Sequence, residues 1–446
     1  MIGIVMFGAA LALLILGFPV AFTFGAVAIY FGLGAAWMEI VPDGGTMMEF
    51  WEEFLSMFSM MPFRIYSIMT NKILMAVPLF IFMGIVLQKS ELAERLLESM
   101  GVLFGRIRGG LAVSTVLIGA LLAASTGVVG ASVVAMGVIS LPIMLRNGYS
   151  RSLSTGTICA SGTLGQIIPP SIVLIILADV FQLPVGDLFK SALMPGLVLV
   201  GVYVVYILAV SFLKPEVAPA IRITDGSGRA HNIKKAIFAI IPPLTLIVLV
   251  LGSIFAGIAT PTESASIGAL GSMILAGLYG KLGYSMVRDA ALETVRTTSM
   301  VFAILVGATA FSMVFVYSGA DEIVEGFMTS LPGEKWGFLI LSMAIIMFLG
   351  FFIDFIEISY IVVPILLPIA ETIGIDPMWF AILIALNLQT SFLTPPFGFS
   401  LFYLKGVAPP EVKTTDIYRG VIPFIVLQIM VLASIVLFPS FYGFGG

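Results

Sequence analysis

The chain has 446 residues, 60% of them hydrophobic and only 10% charged, with a formal net charge of −4. No soluble domain of this size hides so much apolar surface, so the composition excludes a water-soluble fold and points to an all-α integral membrane protein whose solvent is the lipid bilayer. The single Cys159 excludes a disulfide framework within one chain, and the single His231 excludes a Ser-His or Cys-His pair in the membrane core.

In chain order, Met1 leads directly into apolar sequence without a basic n-region or a small-residue cleavage site, so no removable signal peptide is expected. Residues 1–38 carry no charge and are too long for one crossing at about 1.5 Å per residue. The Gly17-Phe18-Pro19 triplet is expected to divide them into two helices. Residues 39–72 mix Glu39, Asp43, Glu49, Glu52 and Glu53 with Trp51, Phe54, Phe58 and Phe63, which suits a helix lying at the membrane surface. Residues 73–88 form a crossing, and 90–104 read as an amphipathic arm with Leu92, Leu96 and Leu97 opposite Glu91, Glu94 and Glu98. Residues 109–145 then run without a charge between Arg106 and Arg108 on one side and Arg146 and Arg151 on the other. Basic flanks at both ends put both ends in the cytoplasm, so the run must enter and return as a re-entrant hairpin with its tip near Ser125-Thr126-Gly127. Residues 152–178 make a broken crossing and 191–213 a further helix. The one clear linker is 214–235, a basic cytoplasmic connector that contains His231.

The second half repeats the plan. Residues 236–258 and 260–280 are two helices, 284–297 a short cytoplasmic arm, and 297–320 an outward crossing. A second charge-poor run, 336–370, has acidic flanks that place this hairpin on the outer side, and its only acids are Asp354 and Glu357. Residues 377–404 are the second broken crossing, and 420–440 exit again. Each half thus holds five crossings and one hairpin, about ten crossings and two hairpins in all. An odd number of crossings inverts the second half relative to the first, with both termini facing outward. The organisation expected is therefore a first inverted repeat over 1–213, the connector 214–235 and a second repeat over 236–446.

The breaks carry the clearest punctuation. Pro142 precedes Pro169-Pro170 by 27 positions (169 − 142), and Pro368 precedes Pro395-Pro396 by the same 27 (395 − 368). A proline cannot donate to the carbonyl four residues back, so Pro169 and Pro170 release the carbonyls of Gly165 and Gln166, while Pro395 and Pro396 release those of Ser391 and Phe392. In hydrocarbon each such orphan costs several kcal/mol unless a partner satisfies it, and a hard cation is one such partner. Hydroxyls and amides cluster at both breaks: Ser161, Thr163 and Gln166 beside Pro169, and Asn387, Gln389, Thr390, Ser391 and Thr394 beside Pro395 and Pro396. These are the candidate substrate-binding positions. The half-helices beyond the breaks offer N–H groups and a positive dipole end suited to a carboxylate. A third pair, Pro242-Pro243, lacks such surroundings and reads as a plain kink.

The stretch Asn387-Leu388-Gln389-Thr390-Ser391-Phe392-Leu393-Thr394-Pro395-Pro396-Phe397-Gly398 resembles the signature of the large membrane subunit of TRAP (tripartite ATP-independent periplasmic, DctM-like) transporters. Gly350-Phe351-Phe352-Ile353-Asp354 with Val363-Pro364-Ile365, and Ser125-Thr126-Gly127 with Gly130-Ala131-Ser132, resemble it too. The acid pair Asp354 and Glu357 and the long outer segment 39–72 depart from the family pattern. The resemblance implies a sodium-driven importer of organic acids in a bacterial inner membrane, working by an elevator motion of the hairpins and broken helices. It also implies a small four-helix partner subunit and a periplasmic binding protein. By the same analogy sodium lies near Ser125, Thr126, Gly127 and Gly165 on one side and near Asp354, Thr394 and Pro395 on the other, with substrate between. No cofactor beyond the coupling ion and no nucleic acid is expected, and without a P-loop no ATP is hydrolysed. A stand-alone sodium–carboxylate symporter and a channel remain open as alternatives.

Overall fold

Gly17, held at a positive φ of 89°, and Pro19 end one helix and begin another, so the charge-free start of the chain is two helices, α1 (Ile2–Ile15) and α2 (Val20–Ile40). The computed structural model describes residues 1–446 except 43, 92–94, 97–99, 101–103, 106, 127, 128, 221–228, 334 and 446. All regular structure among the described residues is helical, as lipid demands of a chain with no water to satisfy its backbone. Six described helices are long and apolar enough to cross a membrane.

Thr46 and Glu49 form a capping box that starts α3 (Met47–Met57), whose Phe50, Phe54 and Met57 pack with Phe58 against Ala35 and Ala36. Trp51 on its other side stays exposed, and α4 (Met61–Thr70) buries no residue at all. The 39–72 segment is thus two amphipathic helices rather than one. Next come α5 (Ala76–Lys89), α6 (Gly110–Thr126) and α7 (Val129–Arg146). The last two are the expected first hairpin, although its tip residue Gly127 lies outside the described residues, as does most of the arm 90–104. The base of this hairpin is tied to the connector: Gly109 N–H donates to Ala218 at 3.1 Å and Ser150 N–H to Val217 at 2.8 Å.

The first broken crossing is α8 (Arg151–Thr163), a tight 3-10 turn at Leu164–Gln166, then α9 (Ile172–Val180). After α10 (Val185–Leu213), α11 (Arg229–Phe255) runs through Pro242-Pro243 without interruption, and a second capping box at Thr260 and Glu263 starts α12 (Pro261–Leu278). The arm expected over 284–297 and the crossing expected over 297–320 are one helix, α13 (Tyr284–Tyr317). The reason is local: no glycine or proline occurs between Tyr284 and Val306, so nothing ends the first helix before the second begins. Then follow α14 (Ala320–Thr329) and the second hairpin, α15 (Lys335–Leu349) with α16 (Phe355–Thr372), the latter carrying a π turn over Ile358–Val362. The second broken crossing is α17 (Pro377–Leu393) and α18 (Phe399–Val407), followed by α19 (Thr414–Leu437).

The described chain forms two compact units, Met1–Leu74 with Val295–Pro377, and Met75–Thr294 with Met378–Gly446. Each takes a piece from both halves of the sequence, so the unit boundaries are not the repeat boundaries. The first hairpin and both broken crossings share the second unit, whereas the second hairpin belongs to the first.

Candidate functional site

In the second unit α8 lies in the cleft of the hairpin formed by α6 and α7, and the contact is made through glycine. A Cβ on Gly119 of α6 would stand 2.6 Å from Cβ of Ser161, and one on Gly162 would stand 2.3 Å from Cγ2 of Val133 in α7. Ser161 therefore faces the hairpin, its hydroxyl donating to Ile158 O at 3.1 Å. On the outer side of the hairpin α18 packs against α7 where Gly137 admits Val407 and Leu404, and where Gly130 admits the ring of Tyr403. Cys159 Sγ reaches Ser400 O at 3.7 Å. The first hairpin, the first broken crossing and the half-helix beyond the second break thus interlock.

Both Pro-Pro bonds, Pro169-Pro170 and Pro395-Pro396, are cis. The carbonyls that these prolines release are handled in parallel. Ser171 Oγ donates to Gln166 O at 2.7 Å, and Ser400 Oγ donates to Phe392 O at 2.8 Å. Gln166 and Phe392 are the matching positions of the two repeats, 226 apart (392 − 166). Thr394 N–H reaches Ser391 O at 3.1 Å, and Tyr418 Oη donates to Pro396 O at 3.0 Å. Hydroxyls and a main-chain amide thus each serve one of the Gln166, Phe392 and Ser391 carbonyls. Ser171 and Ser400 escaped notice in the sequence because they follow their breaks at unequal distances, one residue after Pro170 and four after Pro396.

The side chains near the second break divide by face. Asn387, Thr390, Ser391 and Thr394 share one side of α17, while Gln389 stands about 200° from Asn387 and lies beside the Tyr203 hydroxyl of α10, which accepts from Gln428 Nε2 at 2.6 Å. Gln389 is thus placed apart from the row beside the break. In that row Thr390 donates to Leu386 O, Ser391 to Leu388 O and Thr394 to Thr390 O, each at 2.7 Å. Every hydroxyl proton is directed into the helix, so the oxygens turn lone pairs outward as acceptors. Asn387, Thr390 and Ser391 are buried, while Thr394 and Pro395 are half-buried and Pro396 is exposed.

At the first break Thr163 donates to Ala160 O at 2.9 Å, and Gly165, Pro169 and Pro170 are buried. Gln166 is fully buried, yet neither atom of its amide has a hydrogen-bond partner. A buried, unserved amide costs about 1–3 kcal/mol, and Gln166 is the one that stands beside the first break. Its 3-10 turn packs against α6, the helix that ends at Ser125 and Thr126. Asp354 belongs to the first unit, where it caps α16 by accepting from Phe355 N–H at 2.7 Å. Among the described residues Glu357 is the only charged side chain that is buried, and no group of three or more His, Cys, Asp and Glu side chains is placed to hold a metal ion.

Comparison with known proteins gives the following. A family model described as "Tripartite ATP-independent periplasmic transporter, DctM component" matches residues 7–441. The C4-dicarboxylate TRAP transporter large permease DctM of Pseudomonas aeruginosa is 31% identical over 379 residues, covering 84% of this chain and 87% of the relative. The sialic acid TRAP transporter large permease SiaM of Vibrio cholerae is 28% identical, covering 83% of this chain and 85% of the relative. Among solved structures, the YdaH transporter of Alcanivorax borkumensis, whose topology is described as unusual, superposes with a TM-score of 0.63 at 15% identity over 88% of this chain and 90% of that one. At that identity the likeness is one of fold.

Proposed function

The chain belongs to the DctM component family of tripartite ATP-independent periplasmic transporters, and from that membership we propose that it imports an organic acid by sodium symport. It is a multi-pass membrane permease and not an enzyme. The observation that carries the sodium reading is Thr394 beside the second break, whose hydroxyl proton is directed to Thr390 O at 2.7 Å and whose oxygen is left as an acceptor. One proposed sodium position lies by Ser125, Thr126, Gly127 and Gly165; Thr394 with Pro395 in the second unit, and separately Asp354 in the first, are the other proposed sodium-binding residues. Ser161, Thr163, Gln166, Pro169, Asn387, Thr390, Ser391 and Pro396 are the proposed surroundings of the substrate, with Gln389 set apart beside Tyr203. Of these, Gln166 has the strongest support, since its unserved amide can both donate to and accept from a carboxylate-bearing molecule.

The substrate class in this reading is a carboxylate such as a C4-dicarboxylate, a 2-oxo acid or a sugar acid. Relatives named for C4-dicarboxylate and for sialic acid support the class without choosing within it. Family membership supports the partners as well: a small four-helix membrane subunit and a periplasmic binding protein that delivers the acid, in a bacterial inner membrane. The proposed motion is an elevator, in which the first hairpin and the broken helices, which share one compact unit, travel together. The glycine-mediated interlock of α6, α7, α8 and α18 supports their moving together.

The test is uptake into proteoliposomes of a panel of labelled organic acids, with the partner subunit and binding protein present, with and without an inward sodium gradient. Uptake that requires the gradient is expected. Equal uptake in its absence counts against coupling, and full uptake without the two partners favours a stand-alone symporter.

A further inference from the structure

Asp354 and Glu357 sit at the N-cap and the third position of α16. Their spacing places both carboxyls on one turn. Capping accounts for part of the arrangement. Phe355 N–H donates to Asp354 Oδ1, and the Glu357 carboxylate meets the main-chain N–H of Asp354 and of its own residue. One oxygen of Glu357 is enough for that work. The other, Oε2, has no hydrogen-bond partner, and the residue is only 2% exposed.

Acids cap helix ends cheaply where water solvates the remaining oxygens. Here Glu357 is shut off from water, while Asp354 is half-buried. The N-terminus of a helix offers about half a unit of positive charge, whereas the pair brings up to two units of negative charge. Among the described residues no basic side chain forms an ion pair with either acid. The local fold therefore gathers more anionic oxygen than it satisfies.

We propose that a sodium ion binds between Asp354 and Glu357, with Oε2 of Glu357 as a direct ligand. This rests on the sodium-coupling reading above, which places an ion at Asp354, and it adds a ligand that the family pattern does not contain. A hard monovalent ion matches two carboxylates beside a helix end: it offsets the charge that the dipole leaves over, and it replaces the missing water on Oε2.

The test uses the full-length chain purified in detergent, with unfolding temperature followed against sodium chloride at constant ionic strength, choline replacing sodium. Glu357→Gln keeps the side chain's shape and a capping carbonyl oxygen but removes the charge. It is expected to raise the sodium midpoint about tenfold or more while leaving the unfolding temperature in choline unchanged or higher. Glu357→Asp keeps the charge on a shorter arm and is expected to fall between, so it serves if the glutamine variant does not fold. An unchanged midpoint in Glu357→Gln, with a raised midpoint in Asp354→Asn, overturns Glu357 as a ligand and leaves sodium coupling standing. A wild-type chain with no sodium response overturns both. A pH response in choline that Glu357→Gln abolishes, with its sodium midpoint unmoved, assigns the pair to a proton and overturns the sodium site.

Discussion

The carbonyl oxygen of Gly420 lies 2.0 Å from the point where a Cβ on Gly156 would stand, and a Cβ on Gly420 would stand 2.1 Å from Ser152 O. Main chain meets main chain where α19 crosses α8, with Thr155 Oγ1 directed at Asp416 O across the same contact at 3.4 Å. In lipid, where tails are as apolar as leucine, such close approach supplies packing that hydrophobicity cannot. Gly156→Ala must push the helices apart, because the obstacle is backbone on both sides. It is expected to lower stability by about 1–3 kcal/mol, read as a fall in unfolding temperature in detergent. Gly201→Ala is the control: nothing lies within 4 Å of that position, and the substitution gains up to about 1 kcal/mol of helix propensity. Equal losses in the two variants would contradict the crossing.

Ser171 and Ser400 each serve a carbonyl that proline has released. Ser171→Ala and Ser400→Ala leave Gln166 O and Phe392 O without those donors, at an expected cost of about 1–3 kcal/mol each. Thermal unfolding measures the loss. If either alanine variant unfolds with the wild type, that hydroxyl is not what holds its break open.

Gln166 separates stability from transport. A leucine there removes two buried polar atoms that have no partner, so Gln166→Leu is expected to be as stable as the wild type or more so by about 1–2 kcal/mol. The same variant is expected to lose substrate uptake in proteoliposomes. Full uptake at unchanged Michaelis constant would remove Gln166 from the substrate site.

Pro395 keeps an N–H away from the second break. Pro395→Ala restores one, favours continuation of α17 and should weaken the cation position proposed beside Thr394, raising the sodium concentration for half-maximal uptake about tenfold. A sodium midpoint equal to that of the wild type would place the ion elsewhere.

Much of the fold was legible in the residues. A chain without charge over long runs must close its own backbone hydrogen bonds in lipid, so helices follow, and Gly17 with Pro19 or Pro169 with Pro170 mark where they stop. The hairpins and both broken crossings appear where the charge pattern and the paired prolines put them. The site was legible as a set of polar positions, yet not as a geometry. Faces separate Gln389 from Asn387 within one helix, and helical periodicity alone carried that signal unused.

Sequence by itself determined the solvent, the secondary structure and the places where backbone polarity is released, because those depend on each residue and its near neighbours. Only the tertiary structure decided that Gly119 receives Ser161, that Gln389 lies beside Tyr203 and that Gly156 meets Gly420. Each of these turns on a donor or a bare backbone brought in from elsewhere in the chain, and no local pattern records which distant segment will arrive.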